Sequence, residues 1–283
     1  MAIFYEGTEE EYANIKVNND NVKWKAANVY YNSNGDEHEY GESFVALEPT
    51  CEEEGILRSV CVNDGIEKDV AIPALGHDYC NDRVVKATAT KDGKIIQTCS
   101  RCGKETLKRN IYKASSISLA ATEYVYTGKE IKPAVTVKNS KGYVISTNHY
   151  SVQYTNNIKA GKATVTITFK GYYTGKVTKS FVINPKGTSI RSLTPRSKSI
   201  RIEWYKQDVQ TSCYYIMYST KSDFSNAKAV SVPAGKVACT ISNLKSGQKY
   251  YFKIRTERRY IKTSGEIVKY KSKWSKVVSA KAK

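Results

Sequence analysis

The stretch LKSGQKYYFKI, residues 244–254, decides the fold of the C-terminal part of the chain. A Leu stands six residues before a Tyr, Gly247 supplies a turn signal between them, and Phe252 and Ile254 follow at every second position. Period-two alternation of apolar residues predicts a β-strand with one buried face. The stretch therefore indicates a turn that leads into a strand of a β-sheet.

Further strands flank this stretch. A Trp stands in Ile202-Glu203-Trp204, residues 214–219 are rich in aromatic residues, and Trp274-Ser275 opens a last strand. Residues 188–283 resemble a fibronectin type III domain, in which the Leu-to-Tyr spacing that ends at Tyr250 marks a tyrosine corner. The resemblance implies a β-sandwich in which the Tyr250 hydroxyl binds backbone near the corner.

Two cysteines fall in this domain. Cys239 alternates with Ile241 and is expected to face the core, whereas Cys213 precedes the inward-facing Tyr214 and is expected to face outward. No disulfide between the two is predicted.

A second run of alternating strands occupies residues 112–184. Four segments have period two, and Asn, Gly and Ser turn signals separate them: 135–137, 150–154, 164–169 and 179–183. Regular short strands of this kind predict a β-sandwich. The motifs YTGKEIKPAVTV and AGKATVTI resemble a bacterial immunoglobulin-like module.

Residues 36–109 contain an internal repeat. HEYGESFVALEPTCEEEGILRSVCVNDG (38–65) aligns with HDYCNDRVVKATATKDGKIIQTCSRCG (77–103). The aligned pairs are His38 with His77, Tyr40 with Tyr79, Gly55 with Gly93, Cys61 with Cys99 and Gly65 with Gly103. Each copy predicts a small module of two or three strands with Gly turns. The copies resemble short Cys-containing repeats of secreted bacterial multidomain proteins, in which the PALGH of residues 73–77 recurs.

The second copy carries a candidate structural zinc site. Cys99-Ser100-Arg101-Cys102 is a Cys-x-x-Cys knuckle, whose turn brings two thiolates to one tetrahedral Zn²⁺. His77 and Cys80 supply two further ligands, so the predicted set is His77, Cys80, Cys99 and Cys102. No other cofactor is expected.

Two other interpretations of the cysteines stay open. Asp64 of the first copy stands where the second has Cys102, and Ala89 of the second stands where the first has Cys51, so each copy departs from the fuller repeat pattern. A disulfide between Cys51 and Cys61 fits an oxidising milieu. The other interpretation is that the cysteines are free thiols in a repeat that has lost part of its original pattern.

The N-terminal residues 1–32 predict a strand, a helix and a strand. Thr8-Glu9-Glu10-Glu11 is a capping-box pattern, and Tyr12 and Ile15 are expected to form a buried stripe. The pattern Y-x-G-T-E-E-E-Y resembles the last unit of a BspA-like leucine-rich repeat array. The resemblance implies preceding repeats and an exposed apolar stacking face at the N-terminal edge.

Charge is divided unevenly along the chain. The net charge is +18, yet residues 1–110 carry 13 Lys+Arg and 20 Asp+Glu, a net of −7, which leaves +25 on residues 111–283. Such a basic region attracts polyanions. The alternative is that scattered lysines keep a β surface soluble and protect its strand edges.

One strand interleaves aromatic and charged side chains. Tyr251, Lys253, Arg255 and Glu257 alternate there, and RRYIK (258–262) and KYK (269–271) follow. Such a strip can bind a glycan or a nucleic-acid backbone. The alternative is a sandwich face on which Lys stems pack over Tyr rings. Specific nucleic-acid binding is not expected, because no recognition helix or finger is present.

Catalytic and membrane motifs are missing from the sequence. No Gly-x-Ser-x-Gly, His-Glu-x-x-His or phosphate-loop motif occurs, and no apolar run approaches the roughly 20 residues that a membrane span needs. An enzyme is therefore not expected. A signal peptide and an anchor are expected to lie outside this sequence.

These observations predict a mostly β chain of tandem small modules, with an immunoglobulin-like β-sandwich followed by a fibronectin type III β-sandwich. The predicted modules are 1–33, 34–110, 111–185 and 186–283. The expected function is non-catalytic adhesion or binding at a cell surface or after secretion, as a monomer, with an anionic cell-wall polymer, a glycan or a protein as ligand. The alternatives are a structural spacer or stalk, and an accessory region of a glycan-active enzyme.

Overall fold

The computed structural model describes residues 2–16, 28–30 and 38–283. Strands dominate the described residues, and their one α-helix has five residues, which confirms the mostly β fold. The chain divides into two compact units, one of Met1–Arg83 with Ile96–Lys108 and one of Val84–Ile95 with Arg109–Lys283. The predicted module boundaries stay predictions, and the first of them lies outside the described residues.

The N-terminal segment has the predicted strand–helix–strand order. β1 (Ala2–Phe4) pairs in parallel with β2 (Asn28–Tyr30), and α1 (Glu9–Ala13) lies between them in the chain. The Thr8 hydroxyl accepts the Glu11 N–H at 3.3 Å, and the Glu11 carboxylate accepts the Thr8 N–H at 2.8 Å. The capping box is therefore formed.

The predicted buried stripe on this helix is wrong for the described residues. Ile15 is 37% exposed, and no residue of α1 is buried. Tyr12 is half-buried beside the Tyr5 ring, with 5.2 Å between centroids. A single strand–helix–strand unit offers too little surface to bury an apolar stripe.

The two Cys-containing copies each form a three-stranded sheet. The first has β3 (Phe44–Leu47), β4 (Gly55–Val60) and β5 (Glu67–Ile72), and the second has β6 (Tyr79–Val85), β7 (Gly93–Cys99) and β8 (Glu105–Ile111). In each sheet the strands lie in chain order.

Equivalent glycines show that the sequence repeat is also a structural repeat. A Cβ at Gly55 would lie 2.5 Å from the Leu47 carbonyl oxygen, and one at Gly93 would lie 2.2 Å from the carbonyl oxygen at the end of β6. Gly65 and Gly103 have φ of +76° and +74° in equivalent turns. Both pairs need glycine, because the first admits no side chain and the second adopts a left-handed conformation.

The next six strands form the predicted first sandwich. They are β9 (Ser116–Leu119), β10 (Glu123–Val125), β11 (Val135–Lys138), β12 (Tyr150–Thr155), β13 (Gly161–Phe169) and β14 (Lys176–Asn184). One sheet has the order β10-β14-β13-β12, and the other pairs β11 with β9. Side chains of β13 that point to the core are fully buried, as Val165 and Ile167 show.

The last eight strands form the second sandwich. They are β15 (Ile190–Arg196), β16 (Ser199–Trp204), β17 (Cys213–Ser219), β18 (Lys228–Pro233), β19 (Ala238–Ser242), β20 (Lys249–Ile261), β21 (Ile267–Lys271) and β22 (Val278–Lys281). One sheet has the order β15-β16-β19, and the other has β18-β17-β20-β21, with β22 also paired to β20. Inward residues of both sheets form the core.

The tyrosine corner is present in this sandwich. The Tyr250 hydroxyl accepts the backbone N–H of Lys245 at 3.0 Å, as the Leu-to-Tyr spacing predicts. Trp204 is 2% exposed, and its ring lies 5.1 Å from that of Tyr214 across the core. Strand order and corner together define an immunoglobulin-like sandwich of the fibronectin type III kind.

One of three local predictions fails in the second sandwich. Cys213 lies on the outer face, as predicted, but it is only 5% exposed because its neighbours there are Pro233 and the buried Glu257. Trp274 does not open the last strand, which begins at Val278. Cys239 is half-buried against the core, as expected.

Candidate functional site

The outer face of β20 carries the interleaved charged and aromatic side chains that the sequence predicts. Successive strand residues point to opposite faces. Because Phe252 and Ile254 are fully buried in the core, their neighbours in the strand point outward. These outward residues are Lys249, Tyr251, Lys253, Arg255, Glu257 and Arg259.

Strand pairing extends this face onto two more strands. Lys269 and Lys271 of β21 lie opposite Arg259 and Glu257, and Lys281 of β22 lies opposite Lys249. We call the outward side chains of β17, β20, β21 and β22 the cationic face. On the three C-terminal strands it holds seven cations and one carboxylate: Lys249, Lys253, Arg255, Arg259, Lys269, Lys271 and Lys281 against Glu257.

Cations and aromatic rings stack along the cationic face. The Lys253 ammonium lies 3.9 Å from the Phe224 ring centroid and 5.0 Å from that of Trp274. The Arg255 guanidinium lies 4.4 Å from the Trp274 ring and 5.1 Å from the Tyr215 ring. Cation–π contacts of this length attract the charged groups to the ring faces.

Two serine hydroxyls position Trp274. Between β21 and β22 the ladder is interrupted, and the hydroxyls of Ser272 and Ser275 accept the N–H groups of Thr256 and Ile254 at 3.1 and 3.0 Å. The segment therefore stays attached to β20 without strand geometry, and Trp274 stacks between the cations. The sequence shows the Trp-Ser pair but not this bonding.

The single carboxylate of the cationic face is buried and fully engaged. Glu257 is 2% exposed, with Arg255 at 2.9 Å and Arg259 at 3.1 Å from its oxygens. The Glu257 carboxylate pairs with two guanidinium groups and contributes almost nothing to the exposed surface. The exposed charge of the face is therefore positive.

A cluster of sulfur and nitrogen ligands lies in the other unit. Cys51, His77, Cys99 and Cys102 place one ligand atom each within 4.8 Å of all the others. The Cys51 and Cys99 sulfurs are 3.8 Å apart, and the Cys102 sulfur is 3.3 Å from His77 Nδ1. This group can hold one metal ion.

The structure therefore brings together three of the four residues predicted as zinc ligands and places Cys51 where Cys80 was expected. Cys80 is exposed and outside the cluster. The rings of His77 and Tyr79 lie 5.0 Å apart on one side, so strand alternation turns Cys80 to the opposite side. The predicted ligands all belong to one copy of the repeat, whereas Cys51 belongs to the preceding copy.

Glu52 lies behind the histidine of this cluster. Its carboxylate is 2.9 Å from His77 Nε2 and also pairs with Lys104. The Lys104 ammonium, and after it His77, lower the pKa of Glu52. Hydrogen bonds to Cys99 and Glu52 raise the pKa of His77.

The two closest thiols differ in acidity. Burial raises the pKa of Cys51 to about 11. Burial acts in the same direction on Cys99, but hydrogen bonds from the Cys102 backbone and from His77 outweigh it and lower the pKa of Cys99 to about 5. Cys51 therefore holds its proton more strongly than Cys99 does.

The first copy holds a smaller group. His38, Cys61 and Asp64 lie within 4.8 Å of one another, and His38 Nδ1 is 2.8 Å from the Asp64 carboxylate. Hydrogen bonds from Cys61 and from the Ile66 backbone lower the pKa of Asp64. All seven cysteines are free thiols, so the structure contains no Cys51–Cys61 disulfide.

Comparisons with known proteins give structural likenesses only. No protein-family model matches the chain, and no curated protein matches it. The fn3 domain of human collagen alpha-1(XX) chain is 19% identical over 34% of this chain and 84% of its own, with a TM-score of 0.27. The FN1–FN3 domains of chicken CNTN1 are 12% identical over 87% of this chain and 99% of their own, with a TM-score of 0.30. The sandwich assignment rests on strand order and the tyrosine corner.

No helix among the described residues is long and apolar enough to span a membrane.

Proposed function

We propose that this chain is a non-catalytic binding module of a secreted or cell-surface protein, and that its cationic face binds an anionic polymer. The ligand classes are a sulfated or carboxylated glycan and a phosphate-containing cell-wall polymer, with an acidic protein as a further class. The observation that carries this function is the stacking of Lys253 and Arg255 on Trp274 beside further exposed lysines.

Charge supports an anionic ligand. Residues 111–283 carry a net charge of +25, and seven of those cations lie on one sheet face. A concentration of one sign on a surface raises the local concentration of opposite charge and speeds association. The one carboxylate of the face is neutralised by Arg255 and Arg259.

Shape supports a polymer. The cationic face is the outside of a sheet, so it presents an open strip and not a closed pocket. Trp274 and Tyr215, 6.2 Å apart between centroids, are partly exposed and add aromatic rings to this strip beside the charges. Rings next to cations can contact a sugar while the cations bind its sulfate or carboxylate.

A binding panel tests this function. The full chain is titrated with a sulfated polysaccharide, a phosphate-containing wall polymer, an acidic protein and a neutral glycan, at low and high salt. Binding of the anionic polymers that weakens steeply with salt supports the proposal, because exposed charges are screened. Absence of binding to all anionic polymers refutes it.

A spacer or stalk is the second candidate function. The segment between the two sandwiches is bonded to the second one, since the Thr256 hydroxyl donates to the Lys186 carbonyl at 2.8 Å. Pro185 beside it is buried. Sandwiches joined by a bonded segment suit a module that spans distance, and this role predicts no ligand in the panel.

A further inference from the structure

Four ligands in the Cys-containing repeats have the geometry of a tetrahedral metal site. Zinc–sulfur bonds of about 2.3 Å place two sulfurs of a tetrahedron roughly 3.8 Å apart. The Cys51 and Cys99 sulfurs are 3.8 Å apart. A sulfur and a nitrogen of the same tetrahedron lie roughly 3.5 Å apart, and the Cys102 sulfur lies 3.3 Å from His77 Nδ1.

The histidine of the cluster is held as a metal ligand is held. His77 directs Nδ1 toward the sulfurs, and its other nitrogen, Nε2, lies 2.9 Å from the Glu52 carboxylate. A carboxylate on the far nitrogen fixes the tautomer and the ring orientation of a zinc-bound histidine. Lys104 pairs with the same carboxylate and so holds Glu52 in place.

The ligands come from two successive copies of the repeat. Cys51 precedes β4 in the first copy, and the other three belong to the second copy. We propose that Cys51, His77, Cys99 and Cys102 bind one zinc ion, which links the first copy of the repeat to the second. Three sulfurs and one imidazole favour zinc over oxygen-seeking ions such as Mg²⁺ and Ca²⁺.

The copies have little apolar core of their own. Every residue of β3 is exposed, as are five of the six in β5 and six of the seven in β6. Modules with so small a core commonly depend on a metal or a disulfide for stability. A metal bound by both copies supplies folding free energy that burial does not.

The first copy has an incomplete counterpart of this site. His38, Cys61 and Asp64 correspond to His77, Cys99 and Cys102, but the 50 residues before Cys51 contain no cysteine that can play its part. Asp64 instead pairs directly with His38 at 2.8 Å. We therefore expect one zinc ion per chain and not two.

A disulfide is the competing use of the same sulfurs. Cys51 and Cys99 lie close enough to be oxidised to a bond of about 2.05 Å, and that bond would remove two ligands from the metal. Metal binding and oxidation therefore exclude each other, and a count of free thiols separates them.

The test uses the full chain purified without chelator and with reductant, and zinc is counted by mass spectrometry. Cys51→Ser removes a proposed ligand, whereas Cys80→Ser makes the same change at an exposed cysteine outside the cluster. We expect about one zinc per chain in the wild type and in Cys80→Ser, and a loss of most zinc in Cys51→Ser. Glu52→Gln should keep the stoichiometry and weaken affinity about tenfold or more.

Cobalt substitution keeps the proposal testable if Cys51→Ser fails to fold. The wild-type chain loaded with Co²⁺ should show the visible absorption of a tetrahedral site and thiolate-to-cobalt charge transfer. Zinc below about a tenth of an equivalent after incubation with the metal would overturn the proposal. Equal zinc loss in Cys80→Ser and Cys51→Ser, or a Cys51–Cys99 disulfide in the reduced preparation, would also overturn it.

Discussion

The Tyr260 hydroxyl donates a 2.6 Å hydrogen bond to the backbone carbonyl of Ala160, 100 residues earlier in the chain. Ala160 is fully buried and directly precedes β13 of the first sandwich, and Tyr260 lies near the end of β20 in the second. Gly161 follows with its α-carbon facing the same ring, since a Cβ there would lie 3.6 Å from it. The two sandwiches therefore meet at a bonded contact besides the chain that joins them.

Removal of the Tyr260 hydroxyl should destabilise the compact unit that contains both sandwiches. Tyr260→Phe keeps the ring and loses the hydrogen bond, so the free energy of unfolding should fall by about 1 kcal/mol. Urea denaturation of the full chain measures the change. Tyr143→Phe, at a residue that is 70% exposed, is the matched control and should have no effect. Equal stability of the two variants would contradict the role of the contact.

Gly93 should not tolerate a side chain. A Cβ there would lie 2.2 Å from the Val85 carbonyl oxygen, whereas one at Gly235 would meet nothing within 4 Å. Gly93→Ala should lower the free energy of unfolding by about 1–3 kcal/mol or more, because backbone must move. Gly235→Ala should change it by no more than about 0.5 kcal/mol. Thermal unfolding followed by circular dichroism compares them, and a Gly93→Ala variant as stable as the control would refute the close approach.

Acid stability should depend on Glu203. Its pKa is lowered from about 4.5 to about 2, first by Arg191 and then by Ser192 and Arg201. The unfolded chain therefore binds this proton more readily, so the stabilisation is present above about pH 4.5 and is lost as pH falls toward 2. Glu203→Gln should make the midpoint of unfolding depend less on pH between about 4.5 and 2. Glu266→Gln, an exposed carboxylate paired with one Lys, is the control, and identical profiles for the two variants would contradict the prediction.

Alternation and corner spacing were enough to predict the two sandwiches. The segments 135–137, 150–154, 164–169 and 179–183 all lie within observed strands. Each has one buried face, and a period of two follows directly from that geometry. Tyr250 was predictable because its partner, Lys245, is five residues away in the chain.

The metal cluster was only partly predictable from the sequence. The Cys-x-x-Cys pair and His77 lie in one copy of the repeat, so their proximity follows from local turns. Cys51 joins them through tertiary structure, 48 residues from Cys99. Spacing within one copy instead favoured Cys80, and only the strand alternation after Tyr79 argues against it.

The cationic face extends beyond what one strand can show. Lys269 and Lys271 join it because β21 pairs with β20 in a particular register, which period-two patterns do not determine. The burial of Cys213 has a similar origin, since its covering neighbours lie on adjacent strands. Both features depend on strand pairing.

The most direct test of the proposed binding site is the affinity of the full chain for a sulfated polysaccharide, measured before and after charge reversal on the cationic face. Lys269→Glu with Lys271→Glu reverses two exposed cations of the face, and Lys236→Glu with Lys245→Glu makes the same charge change in exposed loops outside it. We predict that the first pair raises Kd about tenfold or more at low salt and that the second changes it by no more than about twofold. Equal effects of the two pairs, or no binding by the wild-type chain, would contradict a binding site on this face.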